Sequence, residues 1–131
     1  MSFSIEQRNI DSVMAYYECL QRSDGTGMAA FLADDLEYQV HSSSSYAGGY
    51  NRQTFLDVLP GFFGRQASPL KFEFKAVTAQ DDRVCIYAWG GMPLKDGGYY
   101  GNVYHYLFRM RDDKITSITE VCAPLPPGVT I

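Results

Sequence analysis

Ile10, Val13, Met14, Tyr17 and Leu20 recur at the spacing of one buried helix face, while Glu6, Arg8, Asp11 and Glu18 occupy the other. Ser4 and Gln7 precede them as an S-x-x-Q capping box, so the pattern predicts a helix over 5–21. Ser23-Asp24-Gly25 ends that helix, and the small apolar run from Met28 to Ala33 predicts a short second helix, paired with the first through a tight turn and ended by Asp34-Asp35. Leu36, Tyr38 and Val40 then alternate with Glu37, Gln39 and His41, the two-residue period of a strand with one face in the core. Serines 42–45 make a loop. Beyond Gly48-Gly49, Asn51 caps a third helix through Phe55, Leu56, Val58 and Leu59, which Pro60-Gly61 is expected to kink or stop.

From Leu70 onward the period is that of strands. Leu70 to Ala79, Arg83 to Met92, Tyr99 to Arg111 and Lys114 to Cys122 are separated by Asp81-Asp82, by 93–98 and by Asp112-Asp113, turn chemistry suited to antiparallel neighbours. Helices followed by a strand meander predict an α+β domain whose curved, mostly antiparallel sheet carries the helices on one face. Neither a repeat nor a linker interrupts it, so residues 1–131 read as one domain with an extended surface tail over 124–131.

One strand complicates that picture. In Val84-Cys85-Ile86-Tyr87-Ala88-Trp89 both faces are apolar, whereas a sheet covered by helices on one side calls for a polar second face. The simplest cover is a second copy of the same sheet, which predicts a two-fold homodimer; a central strand buried within one chain gives the same pattern.

Composition narrows the partners. The 131 residues include 15 acidic and 11 Lys or Arg residues, for a net charge of −4, and the basic residues form no run that would track a phosphate backbone. Nucleic acid is therefore not an expected partner. No apolar run approaches the roughly 20 residues of a membrane span, and Glu6 interrupts the N-terminus before a signal-peptide core of about 7 to 15 apolar residues could form, so no membrane association and a cytoplasmic location are expected. Cys19, Cys85 and Cys122 are far apart and odd in number, the pattern of reduced, mostly buried thiols rather than of disulfides or a zinc site. Ten Tyr against one Trp point to a pocket that is apolar yet lined with hydroxyls.

The order helix, helix, strand, helix, four-strand meander resembles the nuclear transport factor 2-like superfamily, in particular its SnoaL-like branch with the ketosteroid isomerase-like proteins. The resemblance spans nearly the whole chain and rests on Leu32-Ala33-Asp34-Asp35-Leu36, Tyr46-Ala47-Gly48, Tyr100 to Tyr104 with Phe108-Arg109, and Asp113-Lys114-Ile115 with Glu120. It implies a cone-shaped α+β barrel around a deep apolar pocket that takes a small hydrophobic or oxygenated molecule.

Strand parity then divides the candidates. Asn102, Tyr104, Tyr106, Phe108 and Met110 share one face and suit the pocket, whereas Val103, His105, Leu107, Arg109 and Arg111 share the other and suit a dimer face with a wet rim. Thr116, Ile118, Glu120 and Cys122 likewise share a face, which puts Glu120 among tyrosines. Burial raises a carboxyl's pKa and a phenol can donate to a developing oxyanion, so Glu120 and Tyr106, with Tyr16 added by the resemblance to the ketosteroid isomerases, form the candidate catalytic set, and Tyr38, Trp89, Asn102 and Tyr104 the candidate ligand-binding set. A purely structural Glu120, tied to an Arg or a backbone amide, is the competing reading.

Against the ketosteroid isomerases, Tyr16 falls where their oxyanion-hole tyrosine stands, but Val40 takes the place of their general-base aspartate and Tyr106 that of their protonated aspartate. Ala123 stands where many SnoaL-like members carry a second acid, and no inward set supplies the Asp-Arg-Asp cluster of the epoxide-hydrolase relatives. His41 and His105 fall opposite the pocket by parity, so neither a metal site nor a histidine base is expected, and no phosphate-binding glycine motif implies a nucleotide cofactor. Phe62-Phe63 read either as core or as a lip at the pocket mouth. The expected functions are acid/base chemistry without a cofactor (proton transfer, isomerisation, cyclisation or hydration) or, alternatively, a non-catalytic ligand-binding or assembly module of the same fold.

Overall fold

A computed structural model describes residues 4–131; the start of the N-terminal segment in which no leader is expected, residues 1–3, lies outside them. Helix α1 (Ile5–Gln21) begins where Ser4 Oγ accepts the Gln7 backbone N–H at 3.1 Å. The reciprocal half of the capping box is not made, because the Gln7 amide donates to Asp11 instead, at 2.9 Å. Helix α2 (Gly25–Ala29) is shorter and earlier than the run of small residues predicts. Asp24 caps it by accepting the Gly27 N–H at 2.9 Å, and a Cβ at Gly27 would collide with that same carboxylate. Leu32 and Ala33 are therefore free to open β1 (Leu32–His41) rather than extend a helix.

Two further elements depart from expectation. Gly48–Asn51 forms an edge strand, β2, antiparallel to β1, where the glycine pair reads as a loop. Helix α3 (Arg52–Gly64) starts from a complete Asn51/Thr54 capping box and runs through Pro60 for another turn. The missing Pro60 N–H is tolerated because that last turn carries Phe62, which packs edge-on against Tyr46 and Tyr100 with centroids 5.6 and 5.7 Å away.

Strands β3 (Lys71–Gln80), β4 (Arg83–Pro93), β5 (Tyr99–Arg111) and β6 (Lys114–Pro124) form the antiparallel meander. Asp112 and Asp113 both adopt left-handed φ, at 51° and 63°, as a tight two-residue hairpin requires. The six strands lie in the order β2-β1-β6-β5-β4-β3, and the β1–β6 pair is parallel. The fold is thus α+β with one curved, mostly antiparallel sheet, α1 packed on β3 and β4 and α3 on β1 and β2. Arg8 bonds Asp113 at 2.7 Å and Glu6 accepts the Asp81 N–H at 3.0 Å, fastening the start of α1 to two hairpin turns.

Bulges correct simple parity in two places. Register shifts between Arg109 and Met110, so Ile115 and Ile118 both point into the core while the Thr116 hydroxyl donates to the Arg109 carbonyl; Thr116 does not share the face of Glu120 as strict alternation predicts. A second bulge between Phe74 and Ala76 moves β3 from Phe72 and Phe74 to Val77 and Ala79 on the inner face. Among the described residues no helix is long and apolar enough to cross a membrane.

Candidate functional site

On the concave side, Tyr16 from α1, Tyr38 from β1, Tyr104 and Tyr106 from β5 and Glu120 from β6 converge on one cavity of about 80 Å³. Tyr17 stands behind it, buried, with Phe72, Phe74, Tyr106 and Phe108 edge-on around its ring at 5.0 to 5.9 Å. Each such contact adds about 0.5 to 1.5 kcal/mol to plain burial and leaves the wall of the cavity stiff. Gly90 on β4 leaves the space that the Phe72 and Tyr104 rings occupy, since a Cβ there would lie 2.8 Å from Phe72.

Glu120 is the one ionisable carboxyl of the lining and is only 8% exposed. Tyr38 donates its hydroxyl proton to Glu120 Oε1 at 2.6 Å, and the Cys122 thiol donates to Oε2 at 3.6 Å, a long and weak contact. Burial pushes the Glu120 carboxyl above the usual carboxylate range, with the Tyr38, Cys122 and Tyr106 donors drawing it partly back. Burial, with the nearby Glu120 charge, also raises the Tyr16, Tyr38 and Tyr106 phenols, so these hydroxyls keep their protons and act as donors. Burial moves Tyr100 in the same sense, to about 12, and holds the half-buried Cys122 thiol up at about 11, protonated and unreactive. Tyr16 and Tyr106 line the cavity beside Glu120, Tyr106 as one of its donors, while the Tyr17 hydroxyl behind them is, among the described residues, buried without a hydrogen-bond partner.

The cavity thus combines a proton acceptor of raised pKa with two protonated phenols, Tyr16 and Tyr106, that face the same space. Tyr38, expected as a ligand contact, instead spends its proton on Glu120. Asn102 is buried on the inner face but stands behind Tyr104, donating to its hydroxyl at 3.2 Å, and does not line the cavity. Trp89 is a correction. Val84, Ile86 and Ala88 are the buried row of β4, which turns Cys85, Tyr87 and Trp89 to the convex face. There Trp89 Nε1 donates to the Tyr87 hydroxyl at 2.9 Å and Lys75 lies over the indole at 4.9 Å. The same orientation leaves Cys85 exposed, not buried as expected.

Several lining residues escape the sequence reading. Tyr100 continues the inward parity of β5 by one step beyond Asn102 and could have been found that way. Tyr50 depends on the unexpected β2. Tyr46 depends on a loop in which Ser44 Oγ accepts the Tyr46 N–H at 3.2 Å, while Tyr50 donates to the Tyr46 carbonyl at 2.7 Å and Arg65 to its hydroxyl at 2.8 Å. Of Phe62 and Phe63, Phe62 lines the cavity and Phe63 packs against the core cluster. His41 and His105 are exposed, with His105 stacked on Tyr87 at 4.8 Å. Among the described residues no three His, Cys, Asp or Glu side chains gather as metal ligands.

Comparison with known proteins places this geometry. A SnoaL-like domain signature matches residues 13–118. A candidate polyketide cyclase from Xanthomonas campestris pv. campestris is 26% identical, with TM-score 0.72 over 90% of this chain and 92% of that one. An LEH-like epoxide hydrolase of M. tuberculosis is 17% identical, with TM-score 0.77 over 92% and 86%. An NTF2-like protein from Burkholderia xenovorans LB400 is 20% identical, with TM-score 0.72 over 90% and 91%. No curated protein matches the sequence.

Proposed function

Because the chain belongs to the SnoaL-like family, we propose that its cavity binds a small, largely apolar, oxygenated molecule and moves a proton on it without a cofactor, with Glu120 as acid/base. The observation that carries this reading is Glu120 itself. A buried carboxyl held closely by Tyr38 and more weakly by the Cys122 thiol and Tyr106, with no cation beside it, retains basicity, and burial raises its pKa toward neutral pH. Tyr16 and Tyr106 are the donors for the charge that develops on the substrate oxygen when a neighbouring C–H proton passes to Glu120. Small ketones incubated with the protein in D2O test it. Enzyme-dependent α-deuteration that Glu120→Gln abolishes is the expected result, and no exchange with any of a panel of cyclic and aryl ketones overturns it.

A second reading is favoured by Val40. An apolar side chain where related isomerases carry their base fits a chain that keeps the cavity for binding or assembly and has given up turnover. Ligand retention without exchange separates the two readings.

We further propose that a second copy covers the convex face. Cys85, Tyr87, Leu107, Thr119 and Val121 line a shallow uncharged depression there around His105, and Val121 is 51% exposed in the single chain. Charged residues stand around it in pairs, Arg109 with Asp82 at 3.6 Å and Lys75 with Glu73 at 3.0 Å, the arrangement of an apolar centre and polar rim. A cytoplasmic location accords with this reading.

A further inference from the structure

Among the described residues, the lining of the cavity contains no Lys, Arg or His. Two cations stand outside the lining: the exposed Arg65 bonds the hydroxyl of Tyr46 at the rim, and Arg52 donates to the carbonyls of Leu32 and Ala29, at 3.4 and 3.0 Å. A carboxylate or phosphate entering the cavity would lose its water, meet no counter-charge and lie beside Glu120, whose field is poorly screened at this depth. An uncharged carbonyl compound meets the opposite situation. Its oxygen can accept from the Tyr16 hydroxyl and from Tyr106, the donor beside Glu120, both protonated and facing the cavity, and its apolar body can lie on Leu70, Phe72 and Phe55.

We propose that the cavity selects uncharged, carbonyl-bearing ligands and turns away their carboxylate counterparts, with Glu120 as the discriminating residue. The inference rests on the reading of this cavity as the ligand site and adds the charge class of what enters. It gives Glu120 a second role, separate from proton transfer: a specificity determinant that acts on binding.

Acetophenone, benzoate and 1-phenylethylamine share a ring and a comparable size but are neutral, anionic and cationic at pH 8, so titration of the intact protein with each by calorimetry or chemical-shift perturbation reads the filter directly. The expected result is that acetophenone binds and that benzoate has a Kd at least tenfold higher. In Glu120→Gln the ratio of the two Kd values is expected to narrow at least threefold. Benzoate binding as tightly as acetophenone overturns the proposal, as does failure of acetophenone to bind. Tighter binding of the ammonium compound also overturns it, by making Glu120 a counter-ion rather than a filter. The wild-type comparison decides the matter even if the variant does not fold. Discrimination without deuterium exchange rejects the acid/base reading alone, and exchange without discrimination rejects the charge filter alone.

Discussion

Val40 and Glu120 stand opposite one another on the parallel strands β1 and β6, both facing the same cavity. The carboxyl of this site is therefore carried by β6, one strand away from the apolar Val40, and Tyr38, two residues before Val40, reaches across to hold it. An apolar neighbour on one side and a phenolic donor on the other are opposing influences on one pKa, and burial prevails.

Glu120→Gln removes the only ionisable carboxyl of the lining while preserving its shape. Proton exchange on a ketone substrate is expected to fall by about 10²- to 10⁴-fold, the usual contribution of a positioned general base. Thermal stability at neutral pH is expected to hold or rise, since a buried charge without a cationic partner is removed. NMR-followed exchange beside a melting curve measures both in one preparation.

The pH dependence has a definite sign. The folded-state pKa of Glu120 lies above its unfolded value, so its stabilising contribution is full below the unfolded pKa and is lost as pH rises through the folded one. Wild type should therefore lose stability relative to Glu120→Gln as pH increases through that window. Asp35, whose carboxyl Arg111 holds below the usual range, acts in the opposite direction but is common to both proteins and cancels. Paired melting curves from acid to neutral pH are expected to diverge; parallel curves would mean that Glu120 does not titrate with folding.

Tyr38→Phe takes away the 2.6 Å donor and leaves the ring. Without it the Glu120 carboxyl should rise further, moving the acid limb of the exchange profile to higher pH. Leaving Oε1 unpaired should cost about 1 to 3 kcal/mol in stability. A lowered rate with an unmoved profile would make Tyr38 a ligand contact and not a positioning residue.

Trp89 is the only tryptophan and lies on the convex face. If the proposed dimer forms, its fluorescence should respond to dilution and little to a ligand in the cavity. Leu107→Glu, which places a charge in the uncharged centre of that face, is expected to give a monomer in sedimentation, with the indole emission of the fully dissociated protein. A wild type that sediments as a monomer at micromolar concentration sinks the dimer.

How far the residues disclose this molecule depends on what each strand buries. In β5 one row is apolar and uncharged and the other includes His105, Arg109 and Arg111, so alternation separates Tyr104 and Tyr106 from the outer face, as in the structure. In β4 both rows are apolar and alternation cannot tell them apart, which is how Trp89 is assigned inward. Thr116 is misplaced because a bulge inserts a residue without any glycine to mark it. The helix boundaries at Asp24 and Gly64 follow from a cap and from aromatic packing that outweigh the Ala-rich run and Pro60. Nothing local announces β2 or the parallel pairing of β1 with β6, because both depend on strands meeting from distant parts of the chain. Tyr46 and Tyr50 are missed for the same reason, whereas Tyr100 needed only one more step of the same alternation.

The placement of β6 between β1 and β5 has a consequence for assembly. The bond from Tyr38 to Glu120 closes a loop of 82 residues, and the central seam of the sheet stays open until the last strand inserts. During synthesis the two flanking strands must wait with unpaired edges while everything between them is made, the condition under which intermolecular strand pairing competes. Closure of the sheet and completion of the acid/base pair are then one event, so the appearance of the Tyr38–Glu120 contact marks the moment at which the chain becomes both safe from aggregation and equipped for its chemistry.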